Sequence, residues 1–210
     1  AEEQEADQRR HAAHVAEVRG RAHQRRALGR VLQGVEVHAF GCPPGLGSCV
    51  QWDERLDARI AGAIMGIQAF KAVEIGLGTE CANRNGSQVH DPIHFDVAKA
   101  ESAHLGFTRP SNNAGGLEGG MTNGMPVVVR GTMKPISTLL RGLPSVNLVS
   151  RSPEESQYER SDISAIAAAS VVAENVVALE IARALSRGPL QQPPPDVSPA
   201  PVDGDRAPAH

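Results

Sequence analysis

Apolar and polar positions change their period several times along the chain. Val35, Val37 and Ala39 alternate with Glu36 and His38, the period of a half-buried strand. The run Gly41-Cys42-Pro43-Pro44-Gly45-Leu46-Gly47 then predicts a turn. Leu56, Ile60, Ala63, Ile64, Ile67 and Phe70 follow at helical spacing, so an amphipathic helix is expected, with Asp53 or Asp57 as its cap. Val73-Glu74-Ile75 reads as a short strand that Gly76 and Gly78 close. Residues 79–110 form an irregular excursion containing His90, His94 and His104, and His90 beside Asp91-Pro92 reads as a turn element. A glycine-rich segment over 111–124 and the apolar triplet Val127-Val128-Val129 come next. A second long helix is predicted from about Ile166 to Leu185. Its apolar positions are Ile166, Val172, Val176, Leu179, Ile181 and Leu185, and the small residues Ala167, Ala168 and Ala169 would let a neighbour approach closely.

The two ends differ from this middle. Residues 1–34 are rich in Arg, Glu, Gln, Ala and His, and Val15, Val18, Ala22 and Leu28 mark only a weak helical stripe. A solvated helix or disordered arm is expected there. Residues 188–210 hold seven of the 15 prolines. Proline removes backbone donors and favours extended chain, so a disordered tail is expected. The domain reading is therefore an arm over 1–34, a folded region over 35–187 and a tail over 188–210.

Composition narrows the function classes. Aromatic residues are 3% of the 210, so the core must come from Ala, Val, Ile and Leu, and stacking platforms for single-stranded nucleic acid are disfavoured. The net charge of -3 also argues against a nucleic-acid partner; the arginines at 9, 10, 19, 21, 25, 26 and 30 are partly offset by Glu2, Glu3, Glu5 and Asp7. No apolar stretch reaches the roughly 18 residues of a membrane span, and no leader pattern opens the chain. Cys42, Cys49 and Cys81 lack CxxC spacing, so free core thiols in a reducing, cytoplasmic setting are expected. His11 and His14 have no third ligand at a recognisable spacing, and no metal site is expected.

Three segments carry candidate chemistry. Asn112-Asn113-Ala114-Gly115-Gly116-Leu117-Glu118-Gly119-Gly120-Met121-Thr122-Asn123-Gly124 concentrates glycine, which suits either a mobile loop or a loop whose backbone N–H groups cradle a ligand. It matches neither the Walker loop nor GxGxxG. Arg130-Gly131-Thr132-Met133-Lys134-Pro135-Ile136-Ser137-Thr138 sets a cation and two hydroxyls beside a proline, suited to a phosphate or to a polar turn between strands. Arg160-Ser161-Asp162 offers a planar fork and a carboxylate. It also suits a helix cap by Ser161 or Asp162, or a surface ion pair.

Taken in order, these segments resemble the chorismate synthase family. Pro43-Pro44-Gly45-Leu46-Gly47-Ser48, Leu56-Asp57-Ala58, Met65-Gly66-Ile67-Gln68-Ala69, Lys71, Val73-Glu74-Ile75-Gly76, Gly86-Ser87 and His90-Asp91 are similar to it as well. The likeness runs from about Val35 to Leu185. It implies an α+β fold in which helices are layered between antiparallel β-sheets, present here in incomplete form, and a homotetramer.

The activity so implied is a lyase of aromatic amino acid biosynthesis. It converts 5-enolpyruvylshikimate 3-phosphate to chorismate and phosphate by 1,4-anti elimination, with reduced FMN and no net redox change. NADPH, or delivery of flavin already reduced, would supply the reduced form. Carried over residue by residue, the resemblance puts Gln68, Ala69, Gly119, Lys134, Pro135, Ile136, Ser137 and Thr138 at the flavin. Arg160 would lie near flavin and substrate phosphate, and Asp162 would assist proton transfer. The family's Gly-Glu-Ser-His motif and its Arg-Ala/Ser-Ser-Ala-Arg segment do not occur, and Ser164 and Ala167 stand where many members have Cys and Pro. The expectation is a C-terminal part of the enzyme; the alternatives are a truncated non-catalytic remnant or an oligomerising flavin- or phosphate-binding module.

Overall fold

The computed structural model describes residues 18–27, 30–102, 104–137, 139–160, 162 and 164–188. Val15, His11, His14 and the proline-rich stretch from 189 onward lie outside the described residues. The strands are β1 (Val18–Ala27), β2 (Arg30–Ala39), β3 (Phe70–Ile75), β4 (His94–Phe95), β5 (Phe107–Thr108), β6 (Leu117–Glu118), β7 (Met121–Thr122), β8 (Val127–Met133), β9 (Pro144–Val146) and β10 (Pro153–Glu155). The helices are α1 (Leu56–Met65), α2 (Gly86–Val89) and α3 (Ile166–Arg187), with 3-10 turns over Gly78–Asn83 and Val97–Lys99.

Four strands form an antiparallel sheet in the order β1-β2-β8-β3. Its register follows from the alternation in β2. Val35 faces Gly131 and Val37 faces Val129, and on the far side of β8 Gly131 faces Val73 and Val129 faces Ile75. One face of the sheet is thus a Val and Ile surface. α1 and α3 cover that face, and Val35, Val37, Ala39, Val127, Val129, Leu56, Ile60, Ile64, Val177 and Ile181 are all buried beneath or within the helix layer. Removal of the Val, Leu and Ile side chains from water contributes about 1.5–3 kcal/mol each, which drives this packing with Phe70 the one aromatic ring in the core among the described residues. The opposite face holds a polar row: Glu36, Arg130 and Glu74 stand side by side across β2, β8 and β3. Arg130 Nε donates to Glu36 Oε2 at 2.6 Å, and Glu36 also meets His38 at 2.6 Å.

Several expectations need correction. The weak helical stripe through Val18 and Ala22 does not form a helix: these residues lie in β1, paired along its length with β2, and the boundary set at 34/35 falls inside β2. Pairing with β2 supplies partners for the backbone groups on the inner edge of β1, and the four weakly apolar positions offer no helical face strong enough to compete. Phe70 does not extend the α1 face, because the helix ends at Met65 and Ala69 takes φ 69°, which turns the chain into β3. Phe70 is buried instead as the first residue of that strand. Neither Asp53 nor Asp57 caps α1; Arg55 holds the cap position, and Asp57, in the first turn, accepts from Arg55 Nε at 3.0 Å.

In α3 the buried stripe is Ile166, Ala169, Ala173, Val177, Glu180, Ile181 and Ala184. The expected Val172 and Leu179 are exposed, as are Ala167 and Ala168. Small residues bring α3 close to the sheet, and the larger apolar side chains form a second stripe on the far side. The expected layering is therefore met on one side: helices lie on a sheet, and among the described residues no second sheet covers Met65, Val171, Val172 and Leu179.

Glu180 is buried yet fully engaged. Arg59 reaches its Oε2 through Nε at 2.9 Å and Nη2 at 2.7 Å, and Arg183 donates to Oε1 at 2.5 Å. A cavity of about 630 Å³ opens beside this cluster between α1 and α3, lined by Arg59, Gly62, Val176, Leu179 and Arg183 among others.

Only Cys42 is a core thiol, and Cys49 and Cys81 are exposed. Burial pushes the Cys42 thiol up to about 11, so it carries almost no thiolate at neutral pH. A neutral-pH thiol reagent should label two cysteines in the folded chain and the third only after denaturation; mass mapping of the adducts checks this. Gly131 sits where an added methyl group would meet the Phe70 ring and Ile64 Cγ2. Gly131→Ala should lower stability by about 1–3 kcal/mol through overpacking, read from urea unfolding.

Candidate functional site

The glycine-rich segment folds as a small hairpin, β6 and β7, with Gly119 and Gly120 at its tip. Both tip residues have positive φ, 60° and 86°, as a two-residue hairpin turn of the primed type requires. Gly119 is exposed, and a methyl group there would meet nothing within 4 Å. Its glycine serves the turn and leaves an open approach to the backbone.

Docking of this hairpin organises its neighbours. Gly45 donates to the Thr122 carbonyl at 2.8 Å, Thr122 donates to the Leu46 carbonyl at 2.9 Å, and Thr122 Oγ1 donates to the Pro43 carbonyl at 2.5 Å. The Pro-Pro-Gly-Leu-Gly turn is thereby seated on β7. The Gly120 carbonyl accepts from Leu56 N–H at 2.9 Å and so completes the first turn of α1, which has no side-chain cap.

Asp91 holds the start of the loop. Its Oδ1 accepts from Ser111 Oγ at 2.6 Å and Asn113 N–H at 2.8 Å, and its Oδ2 from Ala114 N–H at 2.9 Å. Burial works to raise this carboxyl, but the hydrogen bonds from Ala114, Ser111 and Asn113 outweigh it and hold the group below the usual aspartate range. Asn112 spans the next step, donating to the Pro126 carbonyl and accepting from Gly116 N–H, both at 2.8 Å. In the sequence His90-Asp91 reads as a turn element, because nothing local marks a clamp on a segment twenty residues onward.

The other predicted residues lie elsewhere. Ala69 and Lys134 meet through the backbone, where Lys134 N–H donates to the Ala69 carbonyl at 2.8 Å. Gln68 and Ala69 are thus gathered with Lys134, Pro135, Ile136 and Ser137 at one end of the sheet. Gln68, Lys134, Pro135 and Ser137 are exposed and Ile136 is half-buried. Thr138 lies outside the described residues. Gly119 belongs to the opposite end: its hairpin caps the start of α1 whereas Ala69 follows that helix's end, a separation of about 15 Å for a 10-residue helix. Arg160 and Asp162 are exposed, and among the described residues neither makes a side-chain hydrogen bond or ion pair. The expected cap of the long helix is corrected as well. Ala165 occupies the cap position of α3, and Ser164 Oγ accepts from Ile166 N–H at 3.2 Å, while Ser161 lies outside the described residues. No group of three metal-ligating side chains occurs among the described residues.

What these elements define is an α+β chain with a rigidly braced glycine hairpin at one end of its sheet and an exposed cation-and-hydroxyl segment at the other. The family model described as chorismate synthase matches residues 2–186. A chorismate synthase of Trichlorobacter lovleyi is 57% identical over 162 residues, covering 76% of this chain and 41% of that protein. One of Desulforudis audaxviator is 60% identical over 157 residues, covering 74% of this chain and 39% of that protein. A solved structure, "Crystal Structure of Chorismate Synthase", superposes with a TM-score of 0.58 at 47% identity, covering 75% of this chain and 38% of that one. The chain belongs to the chorismate synthase family. It spans about two fifths of the length of these relatives.

Asp91→Asn should remove acceptor strength from three donors at once and lower stability by about 1–3 kcal/mol. The pH dependence has a defined sign. A carboxylate held below its unfolded value contributes stability above that value, 3.8 for Asp91, and loses it as pH falls through the folded one. Thermal melts from pH 6 down to pH 2 should therefore show the wild type losing its advantage over Asp91→Asn at the acid end.

Proposed function

We propose that this chain acts in the elimination of phosphate from 5-enolpyruvylshikimate 3-phosphate to give chorismate, as a flavin-dependent lyase of aromatic amino acid biosynthesis. The observation that carries the reading is the backbone bond from Lys134 to Ala69, which joins two separate family segments into one exposed edge. That edge suits a flavin phosphate. Lys134 supplies a point charge, Ser137 a short donor, and the positive φ of Ala69 turns the chain without a bulky side chain. Reduced FMN, when bound, would lend electron density to the allylic system.

The chain's own groups have separate tasks. Lys134 and Arg160 would offset negative charge on flavin and leaving phosphate, which counts most where water is excluded. The Asp162 carboxylate would hold and return a proton near the flavin. Gln68, Pro135, Ile136 and Thr138 would complete the contact, and Gly119 would admit a planar ring close to the backbone. A homotetramer, reduction by NADPH and a cytoplasmic location belong to the same proposal.

A second reading is a flavin- or phosphate-binding module without turnover. Its support is the distance between Gly119 and Lys134 within one chain, which leaves the set divided.

The full chain should be titrated anaerobically with reduced FMN and then supplied with the enolpyruvyl phosphate. The lyase reading expects FMN binding together with equal release of chorismate and phosphate. Arg160→Ala and Lys134→Ala should each weaken FMN binding about tenfold, equivalent to about 1.4 kcal/mol. Binding without product would select the module. A chain that binds neither FMN nor inorganic phosphate would overturn both readings.

A further inference from the structure

The side chain of Arg109 is nine-tenths buried, its relative exposure being 10%. Nη2 donates to Glu118 Oε2 at 2.8 Å, and Nη1 to the Asn123 carbonyl at 3.2 Å. Asn123 Nδ2 donates to the same Glu118 oxygen at 2.7 Å, and Asn123 N–H donates to the Gly116 carbonyl at 3.0 Å. Glu118 immediately precedes the Gly119-Gly120 turn, and Asn123 immediately follows β7. A single guanidinium therefore ties together the two ends of the hairpin that carries the turn.

The third side of this guanidinium is different. Nε is buried and has no acceptor among the described residues. A buried donor left unpaired offsets part of what the Glu118 and Asn123 contacts and the attraction to the Asp91 carboxylate contribute. What it supplies is geometry. Two Nη groups in a fixed plane hold the Glu118 carboxylate at a set distance from the Asn123 carbonyl and so brace the side chain beside the Gly119 turn.

We propose that Arg109 is a positioning residue that fixes the glycine turn through Glu118 in the shape a ligand meets. This rests on the reading of Gly119 as a flavin contact. The group it serves is the planar ring of a flavin approaching exposed backbone.

The test uses the full chain carrying Arg109→Met, Arg109→Lys, Glu118→Met and the double substitution of 109 and 118 to Met. FMN affinity is measured by quenching of flavin fluorescence, melting temperature by circular dichroism, and exchange of the Thr122 and Asn123 amides by mass spectrometry. Arg109→Met should weaken FMN binding about tenfold with little change in melting temperature, and Arg109→Lys should recover part of the loss. Glu118→Met and the double variant should show the same loss as Arg109→Met, because residues acting as one unit are not additive. Additive losses, or a melting temperature that falls in step with affinity, would overturn the proposal in favour of a structural role. If the wild type binds no FMN, the flavin reading fails by itself. Amide exchange then decides for Arg109: about tenfold faster exchange in Arg109→Met upholds the positioning role, and unchanged exchange sinks it.

Discussion

Pairing of β8 on both of its edges is the constraint on which the other elements depend. β2 lies on one side and β3 on the other, and each fixes the same alternation of inward Val and outward polar residues. A slip of one residue in either pair would turn Val127 and Val129 outward and Arg130 into the helix layer. Arg130 opposes that slip from the outer face, bound to Glu36 and to the Gly76 carbonyl. The core and the polar row are thus two expressions of one register. The strand also sets the functional layout, since the glycine hairpin enters it at Val127 and the Lys134 segment leaves it at Met133.

Much of this was legible in the residues. The strand at Val35, the start of α1, the strand before Gly76 and the extent of α3 all follow from the period of apolar positions. The order of the glycine, Lys134 and Arg160 segments was enough to indicate the family. The missing parts share a physical cause, which is that they depend on partners distant in sequence. β1 has no strong period, and its strand state comes from β2. The inward stripe of α3 is built on Ala169, Ala173 and Ala184, which carry little hydrophobic signal yet fit the close approach to the sheet. Val172 and Leu179, with the stronger signal, face outward. Asp91 and Arg109 brace the hairpin through contacts that no local spacing announces.

The site presents the same contrast between near and far. Residues joined by one backbone bond, Ala69 and Lys134, are gathered without further help. The hairpin that carries Gly119 is held with equal firmness, but to the start of α1 through Gly120 and to Pro43 through Thr122. The hairpin and the cation edge are each well defined, and the sheet between them keeps them apart. A ligand that touches both within one chain must therefore span about 15 Å, a length that the chain's own packing imposes.

The borrowed acceptor at the start of α1 has a kinetic consequence. Local helices with their own side-chain caps can form early, because their contacts close short loops. α1 lacks such a cap and receives its terminal acceptor from Gly120, far downstream. The Leu56 N–H therefore gains its partner only once the hairpin is docked, although the turn itself closes locally through Arg59 N–H to the Arg55 carbonyl. The start of α1 is thus secured by a segment far downstream and not by its own sequence, so a change in the glycine hairpin is felt at the helix as well.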